Sequence, residues 1–236
     1  MYYKESSLPR VSDFDRNGKI SYEAILQILE NVGSHHADTV NNDISEELKK
    51  GIAWILVDWR VSILKQIHIN EVVNIKTWVR NSQKPSSVFR DFIVMNDKEE
   101  TVIKAEAKYC LFDLTSSKLI KISEETIEPY QPENECVFDE DTPYINEINE
   151  FDDKSEVPVR RSDIDFYGHL HNTRFLGLAA DFMPENPDFR ISEIHIVYKQ
   201  PILETDALSI GYKKSSNCIN AVILKNNQPA AMVVFS

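Results

Sequence analysis

The 236-residue chain predicts an α+β fold made of two copies of one unit, each an antiparallel sheet wrapped around a central helix. Three observations carry this expectation. A nine-residue motif occurs twice, an apolar stripe at helical spacing follows each occurrence, and a run of strand-like segments follows each stripe.

The motif is Ser12-Asp13-Phe14-Asp15-Arg16-Asn17-Gly18-Lys19-Ile20, and it returns 150 positions later as Ser162-Asp163-Ile164-Asp165-Phe166-Tyr167-Gly168-His169-Leu170. The register holds beyond the motif. Ile25, Ile28, Leu29 and Val32 fall on Phe175, Leu178, Ala179 and Phe182, the i, i+3, i+4, i+7 pattern of an amphipathic helix. Ser21 and Asn172 suit the two N-caps, and Gly33 and Pro184 suit the two stops. A second anchor supports the duplication, because Lys65-Gln66 and the alternating segment after it resemble Lys199-Gln200 and its own.

Alternating or continuous apolar runs predict strands at Val61–Leu64, Val72–Val79, Val88–Met95 and Val102–Phe112. The second half offers Ile194–Tyr198, Ala207–Tyr212, Ile219–Leu224 and Ala230–Phe235. Asn96-Asp97 and Asn226-Asn227 mark turns between them. One helix followed by antiparallel strands, twice, places a first domain at 1–128 and a second at 154–236. Between them, 129–153 carries Pro129, Pro132 and Pro143 among acidic residues and reads as an exposed linker.

Composition narrows the function. With 42% apolar and 27% charged residues the chain is that of an ordinary globular protein. The formal charge of −12 opposes nucleic acid and anionic membranes. Without a long apolar run, and with the start MYYKESSLPR lacking a signal-peptide core, a cytoplasmic location is expected. Cys110, Cys136 and Cys218 are odd in number and widely spaced, which argues against a disulfide framework or a zinc site.

Asp13 to Ser21 also fits the first nine positions of an EF-hand loop. The fit fails at the twelfth position, where a bidentate carboxylate is needed and Ala24 stands. No incoming helix precedes the loop, and the second copy breaks the ligand pattern at Tyr167 and His169. A shared backbone turn accounts for both copies, so no metal is expected.

In the second copy Asp163, Asp165, His169, His171 and Asn172 crowd around a helix start. Free amides and the positive end of the dipole there can polarise a carbonyl, a carboxylate can activate water, and an imidazole can move a proton. On the residues alone, Asp163 and Asn172 read as turn and cap residues. Asp165 and His169 read equally as turn residues or as chemistry. The first copy keeps Asp15 but has Lys19 in place of the histidine, which suggests one working site and one structural copy.

The stretch from Arg161 to Phe175 resembles the DxDxxxHxxN signature of acyl-ACP thioesterases. Trp54 to Trp59, the strand ending in Thr77-Trp78, and Phe112-Asp113 resemble the N-terminal half of the same family, and the similarity runs from about Arg10 to Val234. The resemblance implies two fused hotdog domains that hydrolyse fatty acyl thioesters of acyl carrier protein in fatty acid biosynthesis, without a cofactor. It implies an acyl tail held mainly by the first domain, and Asp165 and His169 as catalytic residues. Tyr167 is a further candidate, standing where the family usually has asparagine. Pro201 and Ile202 stand where it usually has an acidic residue and, in plant members, a cysteine; Glu204 is near but not aligned. Gly168, Asn172 and Arg174 are candidate substrate-binding positions.

Docking of the acidic carrier would use a basic cluster such as Arg160, Arg161, Arg174, Lys213 and Lys214. The fused pair permits a monomer or a homodimer. An acyl-CoA thioesterase and a hotdog protein that binds acyl chains without cleaving them are the alternatives.

Overall fold

A computed structural model describes residues 1–42, 44–81, 85–183 and 189–236. In chain order the first half contains β1 (Tyr3–Ser7), α1 (Tyr22–Thr39), α2 (Ile44–Lys49), β2 (Ile52–Ile63), β3 (Val73–Val79), β4 (Val88–Met95), β5 (Thr101–Asp113), β6 (Lys118–Ile120) and α3 (Glu124–Ile127). The second half contains β7 (Asp153–Val157), α4 (Asn172–Asp181), β8 (Glu193–Tyr198), β9 (Leu208–Lys214), β10 (Ile219–Lys225) and β11 (Gln228–Phe235).

The strands form one antiparallel sheet in the order β1-β3-β4-β5-β2-β8-β11-β10-β9-β7, with β6 added to the end of β5. Read outward from its middle, the order is the same in each direction: β2, β5, β4, β3, β1 on one side and β8, β11, β10, β9, β7 on the other. The two units are therefore fused edge to edge by the β2–β8 pair, with Trp59 opposite Ile196 and Arg60 opposite His195. Joining the edges removes two open strand borders.

Both helices lie on the inner face, side by side. Leu26, Leu29 and Val32 of α1 and Phe175, Leu176 and Ala179 of α4 bury against Trp59, Phe92, Ile196, Ile210 and Phe235 in one core that crosses the seam. Phe92 and Trp59 meet at 5.3 Å between ring centroids. Burying a side chain of this size contributes about 2–3 kcal/mol.

The capping oxygen of Ser21 accepts from the Ala24 amide, as expected. Gly33 does not stop α1, which runs on to Thr39. This glycine instead lets the helix pass close to Arg90, whose Cδ lies 3.4 Å from where a Cβ would stand. Asn172 is the first helical residue of α4, and His171 is its cap. Pro184, the expected stop, lies outside the described residues. Strand β2 starts at Ile52, well before Val61, and β1, β6 and β7 join the expected set.

Within the expected exposed linker at 129–153, residues 131–152 form a strap across the outer face of the sheet. Trp78 Nε1 donates to the Glu135 carbonyl at 2.9 Å, and Thr142 Oγ1 donates to Glu106 Oε1 at 2.6 Å. The Phe138 ring covers the Arg60 guanidinium at 4.1 Å. Val137 and Ile145 are buried, Ile145 against Val222, Leu224 and Met232. Prolines and acidic residues mark an irregular backbone, but the apolar residues between them have a sheet to cover.

Candidate active site

Each SDxDxxG motif folds into the same turn. A 3-10 turn at Arg161–Asp163 leads into a loop in which Ile164 and Leu170 form a β-bridge, as Phe14 and Ile20 do in the first copy. The Asp163 carboxylate accepts from the Arg160 amide at 3.0 Å, and the His171 amide donates to the Asp163 carbonyl at 2.9 Å. Asp165 closes the turn, its Oδ1 accepting from the amides of Tyr167 at 2.8 Å and His169 at 3.1 Å. Asp15 does the same with the amides of Asn17 and Lys19, at 2.8 and 2.9 Å. Gly168 and Gly18 both take positive φ, at 84° and 70°, a backbone conformation that glycine adopts without strain.

One oxygen of Asp165 thus serves the backbone, and Oδ2 is left for other work. The His169 amide and carbonyl both bond to Asp165, whereas its ring finds no hydrogen-bond partner among the described residues. The Tyr167 ring lies against Phe166 at 4.2 Å, and both are exposed. Its phenol is held above its ordinary pKa by partial burial, with Glu47 of α2 and Asp165 adding to the effect.

A groove of about 290 Å³ runs between α1 and the start of α4. Its walls include Glu23, Gln27 and Glu30 of α1, facing Asp163, His171 and Arg174. Arg174 is on the wall with its three nitrogens turned to carboxylates: Nε to Asp163 at 3.0 Å, Nη1 to Glu23 at 2.6 Å and Nη2 to Asp181 at 3.6 Å. Gly177, one turn further along α4, leaves room for this network, since a Cβ there would collide with Glu23. Asp165, Tyr167, Gly168 and His169 in the turn, and Asn172 at the first position of α4, lie beside the groove and do not form its walls.

Two features of the groove were not singled out from sequence. The Glu30 carboxylate lies 3.8 Å from His171 Nε2. Burial raises the Glu30 pKa, the nearby His171 lowers it in part, and Asp165 raises it further. His171 Nδ1 accepts from the Thr173 amide at 3.4 Å, so in the neutral ring Nε2 carries the hydrogen and turns it toward Glu30. The second feature is the anchoring of the helix start from β8: the Tyr198 hydroxyl donates to the Asn172 carbonyl at 3.0 Å.

The five cations expected to form one docking patch do not do so. Val157, just before Arg160, pairs with Leu208 at one end of β9, and Lys213 and Lys214 sit at the other end. Lys213 and Lys214 lie five and six positions along β9 from Leu208, roughly 17–20 Å of strand. Arg161 lies 3.2 Å from Glu204 and Lys213 lies 3.8 Å from Glu150. No helix among the described residues is long and apolar enough to cross a membrane.

Residues 1–130 match the family model described as the acyl-ACP thioesterase N-terminal domain, and residues 146–230 match that of the acyl-ACP thioesterase C-terminal domain. The chain belongs to the acyl-ACP thioesterase family. Among curated relatives, a chloroplastic palmitoyl-acyl carrier protein thioesterase of Arabidopsis thaliana is 25% identical over 200 residues, covering 78% of this chain and 48% of the relative. A chloroplastic oleoyl-acyl carrier protein thioesterase of Coriandrum sativum is 23% identical over 205 residues, covering 78% and 54%. The chain spans about half the length of the curated relatives it matches.

Among solved structures, a 12:0-ACP thioesterase from Umbellularia californica superposes with a TM-score of 0.89 at 15% identity, over 100% of this chain and 96% of that one. An acyl-ACP thioesterase from Bacteroides thetaiotaomicron gives 0.88 at 18%, over 99% and 96%. These structures share the fold, including the fused pair of hotdog units.

Proposed function

We propose that this protein hydrolyses fatty acyl thioesters of acyl carrier protein to free fatty acid and carrier, at the start of α4. The observation that carries this reading is the asymmetry between two otherwise equivalent turns. Both make the same backbone bonds, and only the second places imidazoles, His169 and His171, beside a helix N-terminus and a groove. Membership of the acyl-ACP thioesterase family points to the substrate class.

In this reading the thioester carbonyl sits at the first turn of α4, where helix amides and the dipole favour the negative charge that its oxygen gains. Asp165 gives Oδ1 to the two amides and presents Oδ2 to water, while the unengaged ring of His169 handles a proton. Tyr167 offers a phenol where a substrate can accept a hydrogen bond, and Gly168, Asn172 and Arg174 shape the approach. Domain roles follow the same division, with residues 1–128 holding the acyl tail, 129–153 linking, and 154–236 carrying the reaction. The location is the cytoplasm, the pathway fatty acid biosynthesis, and the carrier the partner of a monomer or homodimer.

The test is thiol release from carrier-bound and coenzyme A-bound acyl chains of several lengths. Turnover with the carrier-bound series is expected. Binding of both series without thiol release would rule the hydrolase out.

A further inference from the structure

Two arginines of the first half are matched very differently. Arg80, just past β3, is bonded to both Asp91 and Glu106 beneath the strap, two carboxylates for one cation. Arg90 of β4 has no such company. It faces inward with Phe92, where Gly33 of α1 passes over both, and it is only 7% exposed. Its partners among the described residues are the His36 Nδ1 nitrogen at 2.8 Å and the face of the Tyr130 ring at 5.3 Å. Neither is an anion, and a buried cation left without one is destabilising.

Two further donors stand near this guanidinium. His36 is fully buried, and because its Nδ1 accepts from Arg90, the hydrogen of the neutral ring is on Nε2. That nitrogen has no hydrogen-bond partner among the described residues. Tyr109 of β5 lies opposite Val88, and Ala107 lies opposite Arg90, so Tyr109 and Arg90 share a face with a small residue between them. The Tyr109 phenol is close enough to feel both Arg90 and Glu30 of the groove wall, which connects these donors to the proposed hydrolytic end. A methyl-ended hydrocarbon tail offers nothing to such groups. They require an acceptor, and the acceptor that also balances the charge is a carboxylate.

We propose that Arg90, with His36 and Tyr109, binds a carboxylate at the far end of the acyl chain, so that the preferred substrate is a thioester with an acidic tail. This rests on the hydrolase reading above for the thioester end, and deepens it by naming the substrate class.

The experiment measures dissociation constants by calorimetry for the intact chain and for Arg90→Met, each with a melting curve. The probes are non-hydrolysable acyl-carrier thioethers of equal chain length, ending in methyl or in carboxylate, and a free monocarboxylic acid of that length. Thiol release from the matching thioesters gives kcat and KM. The parent should bind the acid-ended thioether about tenfold or more tighter than the methyl-ended one, and Arg90→Met should reverse that preference. Among the thioesters the difference should fall in KM.

Equal or weaker binding of the acid-ended thioether by the parent would overturn the proposal, as would an unchanged ratio in a folded Arg90→Met variant. If that variant does not fold, the parent's ratio alone decides. Tight, Arg90-dependent binding of the free acid, with no preference between the thioethers, would put the carboxylate on a free acid and overturn its assignment to the tail. A parent that prefers the acid-ended thioether but releases no thiol would lose the hydrolase reading and keep the carboxylate site.

Discussion

Protonating His36 would set an imidazolium directly against a guanidinium. Arg90 Nη1 donates to His36 Nδ1 at 2.8 Å, and since arginine cannot accept, that nitrogen must stay unprotonated. Burial and the Arg90 charge together bring the His36 pKa down to about 3. The folded state thus binds fewer protons than the unfolded state between about pH 6.5 and 3, and stability falls as pH drops through that window, by up to about 1.4 kcal/mol per pH unit. Denaturant unfolding at pH 7, 5.5 and 4.5 should show a steeper loss for the parent than for His36→Gln, which keeps an acceptor for Arg90 and does not titrate. Parallel losses would contradict the assignment.

Single residues were the least legible part of the sequence. Glu23, Gln27 and Glu30 recur at helical spacing on the polar side of α1, a pattern that ordinarily means water. Here α4 of the other half lies across that side, turning a solvent stripe into a groove wall. Long-range packing carries no local signal. Arg174 illustrates the same limit, because its basic charge suggested a ligand while the fold supplies three carboxylates from its own chain.

At the scale of elements, the strap depends on apolar contacts spaced along an acidic segment. Gly211 on β9 leaves space for the Phe151 ring, whose nearest atoms lie 2.5 Å from where a Cβ would stand. Gly211→Val should lift Phe151 and with it the run back to Ile145, so that limited proteolysis cuts between 140 and 152 faster than in the parent. Cutting at the parent's rate in a folded variant would show that the strap is held elsewhere.

The main strands were readable from alternation because one face of the sheet is fully covered. Strands β1 and β7 were not, since YKESS and DKSEV are polar segments at the two borders of the sheet, where one side of each strand has no partner. Gly33 misled for a different reason. A glycine inside a helical pattern reads as a stop, and only tertiary contact with Arg90 explains its retention in mid-helix.

For the whole molecule the internal repeat was the strongest signal, and it foretold the pseudo-twofold order of the sheet. What it did not foretell is that the two sheets join through β2 and β8 into one, because edge pairing depends on which borders remain open after each unit folds. The same duplication supplies an internal control. Asp15 and Asp165 accept the same two amides in equivalent turns, so replacing either by alanine removes equivalent backbone support.

The most direct test is the rate of thiol release by Asp15→Ala and Asp165→Ala, each corrected for its folded fraction. The Asp15 variant should keep the parent rate, and the Asp165 variant should lose about 10²-fold or more. Equal rates in the two variants, at equal folded fractions, would contradict the assignment of the second turn as the working one.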